Sequence, residues 1–163
     1  MKFNVKTMTL TSTFTALTYI LTAFARIPVG GGYFNLGDIP VLFAAIYIHP
    51  IVGLIAGAVG ASLADLSGFA IFIPFTIVAK SLEALLASFL FSKIKGQAKF
   101  LALFIGVFSM VMVYGFSYLI IDPSWILVSS PFDILQAIIA ASAATTLYIV
   151  LKPYRERLLG KVI

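Results

Sequence analysis

Apolar residues run through this chain in blocks too long and too unbroken for amphipathic strands, separated by short stretches of glycine, proline and charge. The blocks fall at about 7–25, 36–48, 51–66, 69 or 74 to 91, 100–121 and 132–151. A helix needs roughly 17 to 25 apolar residues to cross the hydrocarbon core of a bilayer, and the apolar length here suffices for about six. The pattern therefore predicts an all-α membrane protein, a six-transmembrane-helix bundle. The second block is short and is expected to tilt or sit partly inside the protein. No stretch is left over for a soluble domain, so residues 1–163 are read as one integral-membrane unit, with the first block a retained helix and not a cleaved leader.

The stretch NLGDIPVLFAAIYIHPIVGLIAGAVGASLADLSG, residues 35–68, organises the rest. Two apolar runs meet at His49-Pro50 and are bounded by Asp38 and Asp65, which predicts a helical hairpin with both acids on one rim. Its return limb carries Gly53, Gly57 and Ala61 and, interleaved, Ala56, Gly60 and Ala64. Small residues at four-residue spacing let transmembrane backbones approach closely, so this limb is expected to be packed within protein. A purely structural hairpin accounts for the small residues equally well, but gives no reason for Asn35 and two acids at one level. That rim is read as the mouth of a binding site. The preceding RIPVGGGYFNLGD, with Pro28 and three consecutive glycines, is expected to be a flexible connection able to act as a lid. DPSWILVSSP is expected to connect the fifth and sixth spans, SKIKGQAK to form a basic turn and KPYRERLLGKVI a basic tail.

Composition agrees with the pattern. Hydrophobic residues make up 61% of the chain and charged ones 10%, with a mean hydropathy of +1.11, which leaves too little polar surface to cover a soluble globule. The formal net charge of +5 suggests nucleic acid only until the charges are placed. With the amino terminus inside, Lys2, Lys6, Lys93, Lys95, Lys99, Lys152, Arg155, Arg157 and Lys161 all fall on the cytoplasmic side, where short loops retain basic residues. Arg26 falls outside, with Asp38, Asp65, Asp122 and Asp133, and Lys80 lies within a span. Both termini are thus expected in the cytoplasm, with the basic tail on the inner lipid surface and no role for nucleic acid.

Lys80 and Glu83 are the expensive residues, three apart on one helix face and inside the fourth span. If that helix starts at Pro74, Lys80 lies about 9 Å down from its outer end. They either form the floor of a pocket beneath the acidic rim or pair with each other to fix helix packing. Phe69, Phe72 and Phe75 lead down toward them, and Tyr33, Tyr118 and Trp125 sit near the outer level. With Asn35, Asp65 and Glu83 they suggest an apolar cleft with a few convergent polar groups, suited to a flat heteroaromatic ligand.

Catalysis has little support. His49 is the only histidine and reads as a turn residue; there is no cysteine, no Ser-His pair and no phosphate-binding G-x-x-x-x-G-K-[ST] loop. No cofactor or metal is expected, and the chain reads as a binding subunit powered by another protein.

At NLGDIPVLFAA, HPIVGLIAGAVGASLADLSG and IPFTIVAKSLEALLASFL the chain resembles the substrate-binding S components of energy-coupling-factor (ECF) vitamin transporters. Within them it is most similar to the branch assigned to hydroxymethylpyrimidine and pyridoxine, where Asp65-x-x-Gly68 and Lys80-x-x-Glu83 fall in similar places. The resemblance implies a subunit of an ABC-type importer in a prokaryotic cell membrane. It would capture a vitamin outside, dock on a transmembrane T subunit bearing two ATPases, and tip over to release the vitamin inside. Asn35, Asp38, Asp65, Phe69, Lys80, Glu83, Tyr118 and Trp125 become the expected substrate-binding residues. Docking is expected through small residues on the first helix, Ser12 and Ala16, with Thr9 and Ala23 on the same face and Ile20 interrupting it. The alternatives are a self-standing facilitator or channel for a small solute and, more distantly, a structural membrane subunit without ligand.

Overall fold

The computed structural model describes residues 5–160, the side chain of Glu156 excepted; the expected inner-face residues Lys2 and Lys161 lie outside that range. Six helices alternate in direction: α1 (Val5–Ala23), α2 (Asp38–Tyr47), α3 (Pro50–Asp65), α4 (Ile73–Lys93), α5 (Leu101–Ile121) and α6 (Trp125–Leu151). A short α7 (Arg155–Leu159) follows a single 3-10 turn. Three helical segments, at Ala70–Lys93, Gly96–Ile121 and Trp125–Tyr154, are long and apolar enough to cross a membrane, and α2 and α3 are shorter apolar helices. Large apolar side chains such as Phe108, Met112, Phe116 and Ile138 cover the outer faces of α5 and α6, as a lipid-facing surface requires.

The hairpin expected at His49-Pro50 is present. His49 caps α3 by accepting the Ile51 N–H on Nδ1 at 3.2 Å, and Pro50 supplies the first helical residue. Helix α3 is packed on several sides, and its glycines explain how. A Cβ on Gly53 would lie 2.5 Å from Ala45 Cβ of α2, one on Gly57 2.9 Å from Lys80 Cβ of α4, and one on Gly60 2.6 Å from the Thr15 carbonyl of α1. Each glycine thus lets a different helix come to backbone distance. Gly106 does the same between α5 and α4, where a Cβ would lie 2.5 Å from Ala87 Cβ.

Helix α1 turns threonines inward: Thr7, Thr11, Thr18 and Thr22 are buried, whereas Thr9, Ser12 and Ala16 are exposed on the opposite face and Ala23 is half-buried. Below the site, Leu42, Leu103, Val107, Met110, Ala140 and Ala144 form the apolar core. At the basic end the chain folds back beneath the short α2. Arg155 Nε donates to the Tyr47 carbonyl at 2.8 Å, Tyr47 Oη to the Leu151 carbonyl at 2.8 Å, and Lys6 Nζ to the Leu159 carbonyl at 2.7 Å. These bonds satisfy carbonyls at helix ends that have no helical partner.

Three sequence expectations are corrected. The connection expected to be flexible is a β-hairpin, β1 (Ile27–Val29) paired antiparallel with β2 (Gly32–Phe34), called the lid below. Gly30 supplies the positive φ, 58°, that its two-residue turn requires. Helix α6 begins at Trp125 and not near Phe132, because Asp122 Oδ1 accepts both the N–H and the Oγ–H of Ser124, at 3.0 and 2.7 Å, and starts the helix at once. Pro131, which reads as a breaker, is carried inside it on an exposed face near the amino-terminal end. Helix α2 is also shorter than the expected 36–48, starting at Asp38 and ending at Tyr47.

Gly53→Val should destabilise the fold, since the added atoms would meet Ala45 backbone that has no rotamer to adjust. A loss of about 1 to 3 kcal/mol, the usual cost of overpacking, is expected as a lowered thermal midpoint in detergent. An unchanged midpoint would show that α2 and α3 separate freely.

Candidate functional site: a polar cavity beneath the hairpin lid

The lid-end halves of α3 to α6 turn buried hydroxyl, amide and carboxylate side chains toward one another. Where these meet under β2 they line a cavity, with Asp65 from α3, Thr76 from α4, Tyr114 and Tyr118 from α5, Asp133 and Gln136 from α6, and Gly32, Tyr33 and Asn35 from the lid. Phe72 closes one side. The free volume is about 20 Å³, room for a water molecule or so. The β-hairpin and the helices thus leave almost no free space between them here.

Two hydrogen-bond systems shape the wall. In the first, Asp65 accepts from Tyr33 Oη and from Thr76 Oγ1, the latter at 2.6 Å, and Thr76 Oγ1 lies 3.0 Å from Tyr114 Oη. Burial, and then the facing carboxylate, push the Tyr33 phenol above its ordinary pKa, so it holds its proton and donates. Outside this pair, Arg26 donates to Ser67 Oγ and to the Ser67 carbonyl, both at 3.1 Å, while lying over the Tyr33 and Phe69 rings at 5.8 and 5.5 Å. Tyr33 and Phe69 are themselves in contact, centroids 4.6 Å apart. The lid is thus pinned to the α3–α4 connection by one cation and two rings.

The second system links the lid to the bundle's charge centre. Gln136 Oε1 accepts from Asn35 N at 2.7 Å and Asn35 Nδ2 at 3.1 Å, and Gln136 Nε2 donates to Asp38 Oδ2 at 2.6 Å. Asp38 Oδ1 in turn accepts from Lys80 Nζ, whose other carboxylate partner, Glu83 Oε2, is 3.4 Å away. Lys80, Asp38 and Glu83 are each at most 2% exposed. At the far side, Tyr118 Oη donates to Asp133 Oδ2 at 3.0 Å. Near the tip of the lid, a Cβ on Gly31 would fall 1.9 Å from the Trp125 ring, so hairpin and indole are in face-to-backbone contact.

A sequence model of the family described as "ECF-type riboflavin transporter, S component" matches residues 2–153. The chain belongs to that family. It is also similar to a protein of Pyrococcus woesei described as "Uncharacterized protein in gap 3'region", 33% identical over 126 residues that cover 73% of this chain and 83% of the relative. No solved structure matches it significantly. As an S component it is a substrate-binding subunit for vitamin transport, a multi-pass membrane protein of a transporter class and not of an enzyme class.

In this S component the residues expected from sequence divide into three groups. Asn35, Asp65 and Tyr118 line the cavity. Phe69 and Trp125 stand one layer out, Phe69 covering Tyr33 and Trp125 backing Phe72 at 6.1 Å and the lid tip. Asp38, Lys80 and Glu83 lie outside the lining, in the ion cluster behind it. Asp38 is accordingly corrected from a rim acid to the direct partner of Lys80, because short α2 starts well inside the bundle. The pairing of Lys80 with Glu83 alone is replaced by one cation between two carboxylates. Asp133 is also corrected: it is not in an outer turn but about two turns into α6 and 5% exposed. Thr76, Tyr114 and Gln136 were missed. Glu83-x-x-Lys80 spacing read backward places Thr76 one turn above Lys80 on the same face, and that was the one available signal.

Lys80→Met should be severely destabilising, by about 3 to 5 kcal/mol, since it strands Asp38 and Glu83 unpaired in a dry interior. Glu83→Gln should cost much less, because its Oε1 has no partner and its other oxygen is 3.4 Å from Lys80. Thermal unfolding of the two variants in detergent checks this order, and equal midpoints would contradict it.

Proposed function

We propose that this chain is the vitamin-capturing subunit of an ECF-type importer in a prokaryotic plasma membrane, binding its ligand in the cavity under the β1–β2 lid. The observation that carries the reading is a polar, hydrogen-bonded cavity enclosed by a lid in a bundle that is otherwise apolar, within a chain of the S component family. Opening the lid means releasing Tyr33 from Asp65 and Arg26 from Ser67, which frees the volume that the Tyr33 ring fills. Hydroxymethylpyrimidine or pyridoxine is the proposed ligand, favoured by the Asp65-x-x-Gly68 and Lys80-x-x-Glu83 spacing. Riboflavin is a second reading, favoured by the description of the matching family. Mass spectrometry of the small molecule retained by purified protein decides between them, and purification free of any bound vitamin, with none rebinding, would overturn capture altogether.

The proposal extends to a membrane path of six spans with both termini in the cytoplasm. It is supported by the common placement of Lys93, Lys95, Lys99, Lys152 and Arg155 at the end opposite the lid. The absence of cysteine makes a clean test. Ser124 and Gln97 are exposed at opposite ends. A cysteine at Ser124 should react with an impermeant thiol reagent added outside, and one at Gln97 only after the membrane is opened; the reverse pattern would invert the topology.

Energising is proposed to come from docking on a T subunit with two ATPases, through the face of α1 that carries Thr9, Ser12, Ala16 and Ala23. Support comes from exposure: Ser12 and Ala16 line an open groove of about 380 Å³ between α1 and α3, on the side away from the bundle. Close helix contact in lipid depends on small residues. Ala16→Trp should therefore leave vitamin binding by the purified subunit intact while co-purification with the T subunit and ATP-driven uptake fall sharply. Uptake at the wild-type rate would refute docking there, and vitamin uptake without T subunit or ATPases would favour a self-standing facilitator.

A further inference from the structure

The direction of each hydrogen bond in the cavity wall can be fixed, because each hydroxyl has one proton to give. Tyr33 and Thr76 both give theirs to Asp65. The Thr76 proton being used, the 3.0 Å contact between Thr76 and Tyr114 has Tyr114 as donor. Tyr118 gives its proton to Asp133. All four hydroxyls on the wall thus donate to protein and have only lone pairs left to offer. The amide orientations are fixed by backbone N–H groups. Gly37 N donates to Asn35 Oδ1 at 2.8 Å, and Asn35 N donates to Gln136 Oε1 at 2.7 Å. Asn35 Nδ2 and Gln136 Nε2 each spend one N–H, on Gln136 and Asp38, and keep one.

Asp133 stands out against this background. It is 5% exposed, it lines the cavity, and its Oδ1 takes part in no hydrogen bond among the described residues. A buried carboxylate oxygen left open to a cavity is a site for a donor. Charge points the same way. No Lys, Arg or His is among the described lining residues, two carboxylates are, and Lys80 behind the wall is already held between Asp38 and Glu83.

We infer that the cavity takes a neutral or cationic ring that presents N–H donors, an amino or ring N–H group to Asp133 and an acceptor to the amides of Asn35 and Gln136, and that it excludes phosphorylated and carboxylated molecules. The inference rests on the vitamin-capture reading and sets the chemistry of its ligand. An adjacent donor and acceptor on one edge is the pattern of an amino-substituted nitrogen heterocycle. A phosphate or carboxylate in the same place would meet only lone pairs and carboxylates, with two amide N–H groups for compensation, in a dry site where like charges repel strongly.

The test is calorimetric titration of the full chain, purified in detergent, with matched probes. These are a hydroxymethyl aminopyrimidine, its phosphate ester and its analogue with a carbonyl in place of the amino group, and pyridoxine and riboflavin with their phosphates. The unphosphorylated form that binds should do so about a hundredfold or more tightly than its own ester, and the aminopyrimidine more tightly than its carbonyl analogue. Asp133→Asn turns the open acceptor into an amide still bonded to Tyr118, and should weaken the best amino or N–H probe about tenfold or more with the thermal midpoint retained. An ester that binds as tightly as its parent, or unchanged affinity in folded Asp133→Asn, would overturn the inference and leave vitamin capture standing. Should Asp133→Asn fail to fold, the ester comparison on the wild-type chain decides by itself. If no probe binds, vitamin capture fails and this inference with it.

Discussion

A single buried ammonium group sets the terms for this bundle. Lys80 is buried away from the surface and is held by Asp38 from α2 and Glu83 from its own helix. Uncompensated, such a charge costs several kcal/mol in a low-dielectric interior. The requirement that a carboxylate reach it fixes where α2 begins and how α4 is rotated. It also fixes Gln136, because Asp38 has a second oxygen to satisfy and, among the described residues, the Gln136 amide is the group that bonds it. Through Asn35 the same chain of bonds ends at the root of the lid. The lid therefore inherits its position from the ion cluster.

The helices can meet that cluster only because their backbones come close. In hydrocarbon, apolar side chains gain little by touching one another instead of lipid, and packing of small faces supplies the attraction. Gly53, Gly57 and Gly60 distribute that contact among α2, α4 and α1, making α3 an axis about which these helices pack. The absence of a side chain at Gly57 also leaves the Lys80 stem room to run past α3 toward Asp38. Close packing and charge burial are in this way one arrangement.

Function follows from the division of the bundle along its length. The basic-end half is filled by Leu, Val, Met and Ala together with aromatic side chains such as Phe43, Tyr47 and Tyr148. The lid-end half replaces those residues by hydroxyls, amides and carboxylates, which bind one another while the lid is shut. In the proposed function, a ligand that supplies donors would exchange for those contacts, with the Arg26, Tyr33 and Phe69 clasp as its gate. On the reading proposed above, this end is the pocket of a vitamin-importer subunit and the outer face of α1 is its docking surface.

Hydrophobic blocks, glycine spacing and the His49-Pro50 turn were enough to determine a helical membrane protein and its central hairpin, whereas the connection after the first helix, read as flexible, is a β-hairpin. The first two features are local or periodic, and sequence carries them directly. The sequence also marked Asp65, Asn35 and Tyr118 by their level, since position along a helix converts to depth. It did not reveal that Asp38 pairs with Lys80, that Asp133 points inward, or that Thr76, Tyr114 and Gln136 complete the wall. Each of those depends on how neighbouring helices are rotated and shifted against one another, and residues 42, 15 or 98 positions apart leave no trace of such a meeting in a periodic pattern. Pro131 misled for the same reason: a proline breaks an isolated helix, but whether the chain continues through it is decided by Asp122 starting α6 early and by the bundle against which α6 packs. The sequence settled what the helices are, and the tertiary structure settled which faces meet, because only packing can choose among the rotations that hydrophobicity leaves equal.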